Sequence, residues 1–345
     1  KSDYKSFGAD VAIVAVSDRL KQNYIAYERL MNAGINVICH GAEAYFPWGA
    51  DPETAQQIDA LAKRNGVTLT GTGIWDFSRI WSGILVAGPS SQIKSMFHRA
   101  MTDAQSATVQ LMRVCGVSLT QQEFAEKSPT LIGGLYRLVP HHVLHALGFH
   151  VTRVTEHREP VLSDEPVYCR LLDRELEPGI CLGIRIVSTV ETQEGVTATA
   201  HSELRILPPG EKEHMFWSID GMPASSVRVD RTHSVHTSSA CMVNRIPDVI
   251  AAQPGIRLVS ELGPPRPTSE AKVRARTGSC VSLRRRANAI EPYEEGCDLL
   301  HVPYADSGVL AEEIASYGPD AVGEGPGDVL DGVLWRLRTV AGVSP

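Results

Sequence analysis

The run Asp10-Val11-Ala12-Ile13-Val14-Ala15-Val16, followed by Ser17-Asp18, decides the fold. It is continuous, apolar and rich in β-branched side chains, the pattern of a strand buried on both faces. Ser17-Asp18 supplies the N-cap for a helix whose stripe of Leu20, Tyr24, Tyr27, Leu30 and Met31 runs to a stop at Gly34. Ile35 to Cys39 is a second short strand. Asp51-Pro52-Glu53 opens the next helix, with proline in its first turn and acid beside it, and Asn65-Gly66 closes it. Val67 to Thr70 is the third strand. This β-α-β-α-β order with short links calls for parallel strands and right-handed crossovers, so a doubly wound α/β sheet is predicted. Ligands of such sheets bind beyond the carboxyl ends of the strands, which places chemistry on the loops Ala15 to Asp18, Cys39 to Phe46 and Gly71 to Asp76.

The 345 residues leave room for two or three domains. A formal net charge of −7 gives no basic footprint, which disfavours nucleic-acid binding driven by overall charge. Apolar runs such as Val11 to Val16 and Gly83 to Ala87 fall far short of the roughly 20 residues that span a bilayer, and no apolar leader segment follows Lys1-Ser2-Asp3-Tyr4. The seven cysteines are odd in number and form no C-x-x-C pair, which fits a reducing compartment, the cytoplasm.

From about Ser90 the pattern changes. A helix is predicted over Gln92 to Val114, then strands Gly183 to Val190 and Val196 to His201 around a Gln193-Glu194-Gly195 turn, with further strands at Met215 to Ile219 and Ser226 to Val229. Ala240 to Ile250 is a helix interrupted at Pro247, and Gly263-Pro264-Pro265-Arg266-Pro267 marks a boundary. The predicted organisation is a parallel-sheet domain over 1–89, an α+β antiparallel-sheet domain over 90–267 and a small α/β module over 268–345. In that module a strand runs over Leu299 to Tyr304, Asp306-Ser307 caps a helix, a short strand follows, and Val329 to Val340 is a final amphipathic helix.

A dinucleotide fold ordinarily opens with strand, G-x-G-x-x-G turn and helix, so that the backbone approaches the pyrophosphate closely. Gly71-Thr72-Gly73 lacks the third glycine, and Gly323-Glu324-Gly325-Pro326-Gly327 carries a proline and follows no buried strand. Either the chain begins partway through a nucleotide-binding domain or the half-sheet holds no dinucleotide. His141, His142 and His145 have a spacing that puts two imidazoles on one helix face, yet Leu144 and Leu147 favour a packed helix and no metal is assigned. Arg284-Arg285-Arg286, the one basic run, is expected at a solvated strand end.

Several dispersed segments carry a family resemblance. They are Glu43-Ala44-Tyr45-Phe46-Pro47-Trp48, Gly71-Thr72-Gly73-Ile74, Gly116 to Phe124, Arg158-Glu159-Pro160-Val161, Asp220-Gly221-Met222-Pro223, and Val243 to Ile250 leading into Gln253-Pro254-Gly255. In order and spacing, residues 9–267 resemble the dihydrodipicolinate-reductase-like oxidoreductases, specifically 2,4-diaminopentanoate dehydrogenases and related NAD(P)-dependent amine dehydrogenases. The resemblance implies a partial Rossmann-like sheet, NAD or NADP as cofactor, a small amine or amino-acid substrate and a homo-oligomer, in the simplest case a dimer. It further implies that Glu43 serves the amine chemistry, that Ala15, Val16, Ser17, Gly71, Thr72 and Gly73 lie against the nicotinamide half of the cofactor, and that Tyr45, Trp75 and Asp76 face the substrate. A carboxylate near the reacting carbon suits reductive amination, which must move protons of ammonia and water. Where the family has asparagine-proline-glycine after the G-T-G, this chain has Trp75-Asp76-Phe77, which bears on the substrate more than on the fold; Asp76 is the candidate for a substrate ammonium. The tail, with Leu299-Leu300-His301-Val302-Pro303-Tyr304, Ser316 to Val322 and the last helix, resembles the C-terminal extension of WYL-type transcription regulators. That tail opens an alternative, a non-catalytic ligand-sensing or regulatory protein, the one route by which nucleic acid enters as a partner.

Overall fold

In a computed structural model of the chain, residues 4–106, 108–267, 269–304 and 307–340 are described. The chain divides into two compact units, Lys1–Pro265 and Arg266–Pro345.

The first unit opens with β1 (Val11–Val14), α1 (Leu20–Asn32) and β2 (Asn36–Cys39), continues through a short α2 (Pro47–Ala50) and α3 (Pro52–Asn65), and reaches β3 (Thr68–Gly71). These strands pair in parallel, as the alternation requires. Local chemistry sets the boundaries of α3. The Asp51 side chain accepts the Thr54 N–H at 3.2 Å, Pro52 occupies the first turn, and Gly66 takes the left-handed conformation (φ +68°) that ends it. Tyr27, Met31, Val37, Ile58, Leu61 and Leu69 fill the core beneath the sheet. One expectation fails here. Among the described residues β1 pairs only with β2, and Ile13 is 46% exposed, so the strand is not buried on both faces here.

A π-helical turn over Asp76–Trp81 leads into α4 (Ser82–Ala87). The helix expected over 92–114 is instead a 12-residue strand, β4 (Gln92–Asp103), followed by the short α5 (Val109–Val114). Ile93, Phe97, Ala100 and Met101 mimic a helical stripe, but burial alternates through Met96, His98 and Ala100, and tertiary pairing on both sides decides for the strand. Helices α6 (Gln121–Lys127) and α7 (Leu138–Ala146) precede β5 (Val151–Leu162) and a small ribbon of β6 (Val167–Cys169) and β7 (Arg174–Leu176). Strands β8 (Cys181–Thr192) and β9 (Thr197–Arg205) form the predicted hairpin, with Gly195 at φ +83° in its turn. After β10 (His214–Met222) and β11 (Ser225–Asp230) come α8 (Ser234–Asn244), α9 (Ile246–Ala251) with Pro247 in its first turn, and β12 (Gly255–Ile256).

Strand β12 returns to the first sheet, whose order is β1-β2-β3-β12, parallel throughout. The larger sheet runs β11-β10-β4-β9-β8-β5 and is antiparallel except for the β4–β9 pair. Met96, Val190, Ala198, Trp217 and Ile219 on one face of that sheet pack against α4 and α7. The three histidines of α7 surround the Phe46 ring at centroid distances of 4.9 to 5.1 Å. Burial lowers His142 to about 3 and His141 to about 4, so both sit neutral in the packing.

The second unit comprises β13 (Ser269–Arg276), α10 (Val281–Arg286), β14 (Ala289–Pro292), β15 (Cys297–Tyr304), α11 (Ser307–Ser316), β16 (Ala321–Gly325) and α12 (Gly327–Val340). Its sheet order is β14-β15-β13-β16, antiparallel, over a core of Val273, Leu283, Leu300, Val302, Leu310, Ile314 and Val329. The expected strand, helix, short strand and amphipathic helix correspond to β15, α11, β16 and α12. Asp306, expected to cap α11, lies outside the described residues. Arg284 to Arg286 close a helix rather than a strand: Arg284 pairs with Asp298 at 2.7 Å and Arg286 with Glu313. Among the described residues no helix is long and apolar enough to cross a membrane, and the seven cysteines are free thiols.

Candidate active site

The carboxyl ends of β1, β2 and β3 bring their three loops to one edge of the parallel sheet. Ala15 and Val16 are exposed there, Val16 at 80%. The Ser17-Asp18 cap is corrected: Arg19 is the N-cap of α1 and makes no side-chain cap bond. The cap comes from the neighbouring loop. Buried Glu43, in a short 3-10 turn over Ala42–Tyr45, accepts the Leu20 N–H through Oε2 at 2.8 Å and Arg19 Nη1 through Oε1 at 2.8 Å. Asp18 in return accepts the Ala42 N–H at 3.0 Å. A carboxylate at a helix N-terminus meets both orphan N–H groups and the helix dipole.

Both glycines of the G-T-G stretch are required by packing. A Cβ on Gly71 would fall 2.0 Å from the Ala44 carbonyl carbon, and one on Gly73, at φ +144°, would meet the His40 ring and the Tyr45 hydroxyl within 2.6 Å. The third strand therefore presses its end directly against the loop that carries Glu43 and Tyr45.

Asp76 is fully buried, and its carboxylate is occupied. Arg245 Nε donates to Oδ2 at 2.7 Å, Arg245 Nη2 to Oδ1 at 2.9 Å, and Thr72 Oγ1 to Oδ2 at 2.8 Å. Burial works to lower Arg245, but the bonds to Asp76 and Asp248 outweigh it and hold that guanidinium above its ordinary value. The expected pairing of Asp76 with a substrate ammonium is thus replaced in this geometry by a bidentate clamp that joins the loop after β3 to the α8–α9 junction.

A cavity of about 470 Å³ opens at this edge. His40, Ile74, Trp75 and Arg79 form one wall, Thr102, Leu111, Tyr136 and Leu204 another, and Arg231 with Val235, Ser238 and Met242 closes it. Trp75 packs on Tyr45 at 5.2 Å and on Tyr136 at 5.4 Å between centroids. Burial pushes the Tyr45 phenol well up, so it stays protonated. Of the residues expected to face the substrate, Trp75 lines this space, whereas Tyr45 stands behind it and Asp76 beneath the wall. Glu43 does not line it, and neither do Ala15, Val16 and Ser17 or the G-T-G residues.

The sequence reading missed His40, Arg79, Tyr136 and Arg231. His40 lies at the end of β2 with ring nitrogens 3.4 Å from Ser238 Oγ. Arg79 had a signal, a cation within the apolar run Ile74 to Ile84. Arg231, just past the alternating strand β11, had none.

Residues 83–277 match the family model of the 2,4-diaminopentanoate dehydrogenase C-terminal domain, and residues 267–341 match the WCX domain model. The chain is 24% identical over 274 residues to a 2,4-diaminopentanoate dehydrogenase of Acetoanaerobium sticklandii, covering 75% of each chain. It is also similar to the solved structure of an amine dehydrogenase from Mycobacterium smegmatis, with 29% identity, a TM-score of 0.67, and coverage of 76% of this chain and 78% of that one. Both likenesses and the first family model agree with the resemblance legible in the sequence for the body, and the WCX match agrees with that for the tail.

Proposed function

The chain belongs to the family of the 2,4-diaminopentanoate dehydrogenase C-terminal domain, and from that premise we propose that it is an NAD- or NADP-dependent oxidoreductase acting on the carbon–nitrogen bond of a small amine or amino acid. The observation that carries the proposal is the cavity at the carboxyl edge of the parallel sheet, walled jointly by the strand-end residues His40, Ile74 and Trp75 and by strands β4 and β9 of the family-matching region. A bound nicotinamide supplies the hydride acceptor or donor. The nicotinamide half of the cofactor is proposed to lie on the exposed Ala15-Val16 loop, as the resemblance implies, while the buried Gly71-Thr72-Gly73 turn shapes the strand edge behind it. Trp75, backed by Tyr45 and Tyr136, excludes water from the reacting carbon.

Glu43, which stands at the same strand edge but outside the cavity lining, is proposed as the proton-handling residue because the family resemblance implies that role. In the oxidative direction the amine carbon gives up a hydride, the nitrogen a proton, and water then replaces ammonia to leave a carbonyl. A carboxylate at the strand edge takes and returns the nitrogen and water protons. Arg19, which pairs with Glu43 at 2.8 Å, has a side chain 46% exposed, so the pair is open to solvent on one side. Glu43→Gln is expected to lower kcat by about 10²- to 10⁴-fold while keeping an acceptor for the Leu20 N–H and changing the thermal midpoint little. Unchanged kcat with a lowered midpoint would reduce Glu43 to a helix cap.

Titration with NADH and NADPH tests cofactor binding and chooses between them. A homodimer, as the resemblance implies, is tested by sedimentation of the full chain, and the seven free thiols favour the cytoplasm. The WCX match supports a second reading, in which the tail senses a ligand or regulates transcription. An electrophoretic shift of DNA without any turnover of amines would favour it.

A further inference from the structure

Two guanidinium groups in the cavity wall have more hydrogen-bond donors than the protein satisfies. Arg79 is 3% exposed, and among the described residues its Nε and Nη1 have no partner. It packs beside the Trp75–Tyr136 ring pair, with its central carbon 5.1 and 5.4 Å from their centroids. Arg231 is 5% exposed; its Nε has no partner among the described residues, and Nη2 reaches Thr102 Oγ1 at 3.5 Å and Glu213 Oε2 at 3.6 Å. Glu213 is shared, since it also accepts from the Asp103 N–H at 2.9 Å and from Ser234. Asp76, the other nearby carboxylate, is committed to Arg245.

The cavity wall therefore holds two cations against one shared anion. Burial pulls Arg79 down only to about 10, so it remains charged at neutral pH. A buried cation without a partner costs several kcal/mol, and an arginine fork matches a carboxylate in two parallel bonds. The remaining lining is largely hydrocarbon: Ile74, Leu111, Leu204, Val235 and Met242.

We infer that Arg79, aided by Arg231, is the specificity-determining residue of this site and takes a single carboxylate of the substrate, whose apolar chain lies along the other wall. Of the small amines and amino acids proposed above, Arg79 then selects those that carry a carboxylate over a plain amine or ketone. The inference rests on the cavity being the reaction site proposed above. It asks of Arg79 no part in the hydride or proton steps. The ring pair beside the guanidinium holds it in place, so the carboxylate also sets the distance of the reacting carbon from the strand edge.

The test is calorimetric binding to the full chain, with 4-oxopentanoate as the anionic probe, 2-pentanone as its uncharged counterpart and inorganic phosphate as a control for a generic or cofactor-derived anion. The wild type is expected to bind 4-oxopentanoate about 10- to 100-fold more tightly than 2-pentanone. Arg79→Met should abolish that preference, leave the NADH and NADPH affinities unchanged, and keep or raise the thermal midpoint without ligand, because it removes an unpaired buried charge. Arg79→Lys, which keeps the charge but loses the fork, should retain part of the preference, and it carries the test if the methionine variant does not fold. Equal binding of 4-oxopentanoate by wild type and variants, or preferential binding of phosphate with loss of cofactor affinity in Arg79→Met, overturns the inference. Failure of the dehydrogenase reading is distinguishable: the carboxylate preference would persist in a protein that binds neither nicotinamide cofactor.

Discussion

Asp76→Ala is expected to destabilise the first unit by about 3–5 kcal/mol, the usual cost of leaving a buried charge without its partner. Arg245 and Asp76 are both 0% exposed, and the remaining partner, Asp248, satisfies only Nη1 at 2.8 Å. Loss of Asp76 also removes the acceptor of the Thr72 hydroxyl, two residues from the loop's glycine turn. Asp76→Asn keeps the shape and one carbonyl oxygen, so its loss should be smaller; that loss reads the charge, and the further loss in Asp76→Ala reads the shape and the remaining acceptor. Urea unfolding, with the midpoint and slope read separately, checks this. A loss below about 1 kcal/mol, the level of an exposed pair, would contradict the burial of the clamp. Because the clamp underlies Trp75, a surviving Asp76→Asn enzyme should show a raised KM before a lowered kcat.

Mild acid should unfold the protein steeply. His141 and His142 are lowered to about 4 and about 3, and burial, with the Arg79 cation adding to it, holds His98 well below its ordinary range. Each folded-state value lies below the roughly 6.5 of an unfolded histidine, so the unfolded chain binds more protons and stability falls as pH drops below that point. From about pH 6.5 to about pH 5 His141 and His142 each withdraw about 2 kcal/mol, and His98 acts in the same direction. That is a large share of the stability of many domains. Carboxylates such as Asp51, whose bonds to Thr54 lower it, lose their contribution on further acidification, below the ordinary carboxylate range. Urea midpoints measured at three pH values should show the slope, and His142→Gln should flatten it by about 2 kcal/mol over this window. A flat profile from pH 7 to about pH 5 would mean that these imidazoles are not buried neutral.

Much of the parallel half-sheet was legible because its signals are local: Asp51-Pro52 at one end of α3 and Asn65-Gly66 at the other leave little choice. The position of the site followed from topology, since Cys39 to Phe46 and Gly71 to Asp76 lie at strand carboxyl ends whatever their chemistry. The failures were tertiary. Gln92 to Asp103 satisfies two periodicities, and only its neighbours β9 and β10 select the strand. Ser17-Asp18 looked like a helix cap, but a carboxylate two dozen residues on, Glu43, takes that position. The partner of Asp76 lies at Arg245, across the whole second half of the unit, and no spacing rule reaches that far. Arg79 and Arg231 come to one cavity from a π-helical turn and a strand end, so their shared deficit of partners exists only in three dimensions.

The central claim is nicotinamide-dependent chemistry at a carbon–nitrogen bond in the cavity beneath Trp75. The most direct measurement follows nicotinamide absorbance while the full chain is supplied with ammonium, 4-oxopentanoate and NADH or NADPH. Cofactor oxidation that matches the amine formed, and that falls by at least about 10²-fold in Glu43→Gln, is the predicted result. No oxidation of either cofactor, together with no binding of either at millimolar concentration, would contradict it.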